Sequence, residues 1–147
     1  MKKVLIFLLM PLFCWSQEVG VKDYVTAFED LDAFKERFFQ AYPLNSKIEP
    51  QAITLVEYDY ILYQTISVDV PYILISDEAI SIGMSNALAL SLKAEFLDYF
   101  EEHCGAEVNY KPEIGQFTKW YCDGVSLSMI QDKQITMLYI KKEYHSR

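Results

Sequence analysis

Hydrophobic and polar positions alternate along this chain with three distinct rhythms. The first is a short leader. Met1-Lys2-Lys3 gives a positive start, and an apolar run from Val4 to Trp15 follows, broken only by Pro11. Polarity returns at Ser16-Gln17-Glu18. Positive charge, apolar stretch and a small residue before the cut form the pattern of a cleavable secretion signal. We expect residues 1–16 to be removed and the working chain to begin at Gln17, in the periplasm or outside the cell. The run falls short of the about 20 residues that a spanning helix needs. Lipidation at Cys14 is the other processing route, but the bulky Phe13 stands where lipoprotein signals carry a small residue. No later apolar stretch is long and uniform enough to span a membrane.

The second rhythm is helical. Val21, Tyr24, Val25, Phe28, Leu31, Phe34, Phe38 and Tyr42 recur at three- and four-residue steps, which predicts a helix with one apolar stripe. Asp30 and Asp32 favour caps over interiors and are expected to split it in two. Pro43 stops it, and 43–51 reads as a loop. A second helix starts near Ser85, a suitable N-cap, and its apolar face carries Leu88, Ala89, Leu92, Phe96, Tyr99 and Phe100. Leu90 and Leu97 fall off that face. Gly105 suits a left-handed helix terminus, which puts Cys104 in the last turn.

The third rhythm has a period of two. From Thr54 to Val70 one parity carries Tyr58, Tyr60, Leu62, Ile66, Val68 and Val70, and the other carries Glu57, Asp59, Thr65, Ser67 and Asp69. This predicts a half-buried strand, bent or bulged near Gln64 because it is too long to stay straight. Tyr63 has the polar parity and is expected to be exposed. Tyr72 to Ile75 and Ile80 to Met84 read as a short hairpin around Asp77-Glu78. Asp123-Gly124 is a strong hairpin signal, since both central positions of a tight turn favour positive φ. Folding the flanks about it pairs Cys122 with Val125, Trp120 with Leu127 and Thr118 with Met129 on one face. The other face receives Phe117 with Ile130, Lys119 with Ser128, and Tyr121 with Ser126. A further turn at Asp132-Lys133 continues a three-stranded meander, placing Leu138 beside Leu127 and Ile140 beside Val125. The resulting expectation is an α+β fold in which two main helices pack on a mostly antiparallel sheet, with residues 17–147 as a single domain. Each half runs from a striped helix into strands, a weak internal symmetry.

Charge narrows the partners. The whole chain has 13 basic and 21 acidic residues. Without the leader the balance is eleven against twenty-one, a net charge of −10. Such a chain is repelled by nucleic acid and by anionic lipid surfaces. It suits solubility first, and a basic protein partner second. Cys104 and Cys122 are the two cysteines beyond the leader. An even count in an exported chain points to a disulfide, which would pin the second helix to the sheet and stabilise by roughly 3 kcal/mol.

Candidate chemistry is sparse. The second face of the meander gathers Phe117, Tyr121, Ile130, Ile135, Met137 and Tyr139. This patch is either a partner surface or core beneath the N-terminal helix. The second reading is favoured, because that helix must bury its stripe somewhere. Tyr58, Tyr60, Tyr63 and Tyr72 form a tyrosine-rich stretch suited to recognition or to cross-strand packing. Glu101-Glu102-His103 are successive helix positions about 100° apart and do not converge on a metal. His103 and His145 are the only histidines, and no Gly-x-Ser-x-Gly, His-Glu-x-x-His or phosphate-binding glycine loop is present. No catalytic residue, metal ligand or cofactor motif is therefore assigned. The functional expectation is an exported, acidic, non-catalytic interaction module. An inhibitor or immunity-type protein that neutralises a basic enzyme is the chief alternative. A hydrolase of envelope polymers using Glu57 and Asp59 is the alternative from another class.

Overall fold

The computed structural model of the chain describes residues 19–103, 107–110, 116–122 and 124–143, with 107–110, 116, 117 and 122 described by their backbone alone. The leader, Cys104, the side chain of Cys122 and His145 lie outside the described residues, and so does the expected Cys104–Cys122 bridge.

The N-terminal stripe forms two helices, α1 (Val21–Val25) and α2 (Leu31–Ala41). The break comes where the aspartates predict it: the Asp30 carboxylate accepts a hydrogen bond from the Ala33 amide at 3.1 Å, satisfying one of the orphan donors at the start of α2. Arg37 reaches back to Asp23 at 3.1 Å and ties the two helices together.

The next segment departs from expectation. Instead of one bent strand over Thr54 to Val70, the chain makes a hairpin, β1 (Gln51–Leu55) and β2 (Tyr58–Gln64). Leu55 pairs with Tyr58, so Val56 and Glu57 form the turn, with Val56 at φ 56°. β2 stops at Gln64 because the following side chains bond to their own loop. The Thr65 hydroxyl donates to the Val70 carbonyl, and the Ser67 hydroxyl accepts from the Asp69 and Val70 amides, each at 3.2 Å.

β3 (Tyr72–Ile75) and β4 (Ala79–Ser85) form the expected hairpin. The Ser85 hydroxyl then accepts from the Leu88 amide at 3.2 Å, capping α3 (Asn86–His103) as its sequence predicts. Beyond it come β5 (Glu107–Tyr110), β6 (Gln116–Cys122), β7 (Val125–Gln131) and β8 (Ile135–Lys142). All three expected β6–β7 pairs of each face are present, with Gly124 at φ 81° in the turn. The β7–β8 register differs by two residues: Leu138 pairs with Met129 and Ile140 with Leu127. The Asp132 carboxylate accepts from the Gln134 and Ile135 amides at 2.9 and 3.0 Å. Those bonds draw the turn one residue later than an Asp132-Lys133 turn. They also hold the Asp132 carboxyl below its ordinary pKa. A shift of two preserves parity, so every side chain stays on its expected face.

The eight strands form one sheet in the order β1-β2-β3-β4-β8-β7-β6-β5, with every neighbouring pair antiparallel. The architecture is α+β. It consists of two units, α2 with β1–β4 and α3 with β5–β8, joined where their last strands pair. The units are related by an approximate two-fold through the Ile82–Leu138 pair. Advancing by the 56 residues that separate that pair carries Tyr72–Gly83 onto Ser128–Tyr139, and Ile73–Ile82 onto Met129–Leu138.

The core lies on one side of this sheet. Ile73, Ile80, Ile82, Leu127, Leu138, Ile140 and Trp120 are buried there under the helices. Phe96 of α3 meets Tyr24 of α1 at 6.2 Å and Trp120 at 5.4 Å, both edge-on. Phe39 of α2 meets Tyr63 at 5.1 Å. Tyr63 is therefore half-buried rather than exposed, and Lys35 lies over its ring at 5.5 Å. Its parity, polar in neighbouring residues, is the parity of the helix-covered side.

Candidate functional site

All three described helices pack on the same side, so the N-terminal helix does not cover the second face of the meander. That face is free of helices among the described residues. It is also larger than the sequence implies. Because β4 pairs with β8, the meander's patch continues across the sheet into the tyrosine-rich hairpin.

Register places the residues in rows. One row runs Gln64, Tyr72, Gly83, Met137, Ile130 and Phe117. The next runs Gln51, Leu62, Leu74, Ser81, Tyr139, Ser128 and Lys119. A third brings Ile53 and Tyr60 to one end, and Ala79, Lys141, Ser126 and Tyr121 to the other. The six expected patch residues thus share one face. Tyr121 and Ile130 are each 41% exposed, Ile135, Met137 and Tyr139 are half-buried, and only the backbone of Phe117 is described.

What sequence reasoning missed is the union of two separate candidates. Tyr60, Leu74 and Ala79 are buried in a second cluster, flanked by Ile53, Tyr58, Leu62, Tyr72 and Tyr139. No described helix contributes to it. The shared parity of Tyr58, Tyr60 and Leu62 is legible in the sequence, but the β4–β8 pairing that joins them to Met137 and Tyr139 leaves no local signal.

Polar groups on this face are tied down. Burial raises the Tyr60 hydroxyl well above the ordinary tyrosine pKa, and a hydrogen bond with Tyr139 adds to the effect. The Ser81 hydroxyl donates to the Met137 sulfur at 3.2 Å. Lys119 sits over the Tyr121 ring at 5.0 Å. The proximity of Tyr58 raises the Lys141 ammonium above its ordinary value.

Charge is sorted between the two sides. The three rows hold two lysines, Lys119 and Lys141, and the Glu143 carboxylate joins them by accepting from the Ser126 hydroxyl at 2.8 Å. The helix layer, 19–42 with 86–103, holds nine acidic and four basic residues, a net charge of −5.

Other candidates are placed as follows. Glu57 is an exposed turn residue, and Asp59 is exposed with its carboxylate accepting from the Thr54 hydroxyl at 2.7 Å. Neither lines the two cavities found on the helix side. The larger cavity, about 480 Å3, lies between the start of the α1–α2 link, the end of α3, the β6–β7 turn at Gly124 and the end of β8. Phe28, Tyr99 and Val125 form its apolar wall, and Glu29, His103 and Lys142 its rim. His103 stacks on Tyr99 at 4.4 Å, and its Nδ1 lies 3.0 Å from the Tyr99 carbonyl. Glu101 and Glu102 are exposed beside it. No described helix is long and apolar enough to cross a membrane, and no three His, Cys, Asp or Glu side chains converge among the described residues.

Comparison with protein-family models, curated proteins and solved structures gave no match.

Proposed function

We propose that the chain is an exported, non-catalytic interaction module that binds another protein surface through the helix-free face of its sheet. The observation that carries this reading is the breadth of aromatic and aliphatic side chains across a face with no described helix over it. Monomeric proteins seldom expose contiguous apolar patches of more than a few hundred Å2 without a partner or ligand to cover them. Tyrosine suits such a surface because it offers large contact area at small cost in rotamer entropy, with a polar tip for orientation.

The sorting of charge also favours a second reading, an inhibitor or immunity-type role toward a basic enzyme. Here the acidic helix layer would be the recognising surface, because complementary charge speeds encounter and fixes partner choice.

Affinity capture of the tagged protein from its exporting host, at low and high salt, tests both. The first reading expects a partner that survives moderate salt and is lost on Met137→Lys. The second expects a basic partner released by salt and indifferent to that substitution. Recovery of nothing that depends on either surface argues against both.

A further inference from the structure

We infer that the occupant of the helix-free face is the same face of a second copy of this chain, giving a two-fold dimer with the sheets inside and the helices outside. The inference rests on the reading of that face as an interaction surface, and it adds the identity of the partner.

The first argument is electrostatic. Two copies of a chain with net charge −8 repel each other, and the repulsion is concentrated where the carboxylates are. A two-fold contact through the helix layers would set nine acidic residues against nine. The helix-free face carries a single described carboxylate in hydrogen-bond contact with its rows, Glu143, which accepts from Ser126 at 2.8 Å near Lys141, and the charged groups lie away from the Tyr72–Gly83–Met137 row. It is the surface on which self-association escapes like-charge opposition. A basic partner would be drawn to the other side of the molecule.

The second argument is size. Eight strands spaced about 4.8 Å apart, with about 20 Å of each in the face, present roughly 700 Å2. Two such faces bury roughly 1,400 Å2, within the span of about 1,200–2,000 Å2 that specific interfaces occupy. Aligned sheets pack with mean strand directions about 30° apart and side chains interdigitated. Tyr121 and Ile130, each 41% exposed, are the side chains of this face that a second sheet would take between its own. An isologous contact also closes after two copies, so the product is a dimer and not a filament.

The test is the mass in solution of the protein as the host releases it, by light scattering and sedimentation equilibrium over a dilution series. The expected result is a dimer that dissociates at least tenfold more readily on Met137→Lys or Ile130→Lys. Leu90→Lys, on the 71% exposed outer surface of α3, should leave the mass unchanged. Circular dichroism melts confirm that each variant is folded, and Ile130 is exposed enough for its substitution to leave the core intact. A monomer throughout the series, or a dimer broken by Leu90→Lys and not by the face substitutions, overturns the inference. If the monomer still captures a different protein in a Met137-dependent manner, only the identity of the occupant is wrong. If face substitutions change neither mass nor capture, the interaction reading falls with it.

Discussion

The ring of Tyr72 lies across Gly83 of the neighbouring strand, so closely that a methyl group built on the glycine would stand 2.5 Å from two of its ring carbons. The aromatic ring occupies the space that a side chain at 83 would fill, and it flattens the centre of the helix-free face. Gly83→Ala is therefore expected to push the ring off the sheet and cost about 1–2 kcal/mol, the usual range for overpacking. In a Tyr72→Ala background the same substitution should cost almost nothing. A double-mutant cycle in urea measures the coupling, and additive costs would show that the ring does not need the glycine.

Tyr24 is fully buried between Phe34 and Phe96, and among the described residues its hydroxyl has no hydrogen-bond partner. Tyr24→Phe should stabilise the protein by about 1 kcal/mol, since an unsatisfied buried hydroxyl costs about that much or more. Burial, reinforced by Tyr42, Asp23 and Glu95, also raises its pKa well above the ordinary value. A raised pKa in the folded state means that ionisation takes nothing from stability below the unfolded value of about 10, and that stability is lost as pH rises beyond it, because the unfolded chain gives up the proton first. The urea midpoint of the wild type should fall between about pH 10 and 11, and that of Tyr24→Phe should fall less. Parallel curves would contradict the assignment.

Val56 turns the β1–β2 hairpin at positive φ while wholly exposed. A β-branched residue in that region carries strain of about 1–3 kcal/mol, and it packs on nothing that substitution would forfeit. Val56→Gly should raise stability by about 1 kcal/mol after the entropic penalty of glycine. Thermal and urea denaturation check it, and a loss of stability would mean that the valine makes contacts beyond its own turn.

These residues also mark where the sequence is informative and where it is not. Asp123-Gly124 announces its hairpin because glycine adopts positive φ freely, and the whole β6–β7 register follows from it. Asp30 and Ser85 announce helix starts because their side chains accept from the exposed amides of a first turn. Val56-Glu57 announces nothing, since the chain accepts strain at a residue that ordinarily belongs inside a strand. The turn at Asp132 is visible, but its exact centre depends on two side-chain bonds to the backbone. Face assignments survive that error because a slip of two keeps parity. The candidate site was half legible. Period-two patterning reveals its residues, whereas the side on which a helix buries its stripe, and the pairing of β4 with β8, are decisions of the assembled fold.

The place of β8 in the sheet has a consequence for synthesis. Most strand pairs join chain neighbours and can close within their own hairpins, but the β4–β8 pair joins residues 50 to 62 positions apart. The latest of the described strands to leave the ribosome is thus inserted at the middle of the sheet and not added at its rim. Until it arrives, β4 and β7 each present an open edge toward a gap. Long-range pairing of this kind is slow, and it holds the chain short of its final form for as long as its end is still being made. Under the proposed export such a delay would serve the chain, because it would stay threadable until it had crossed.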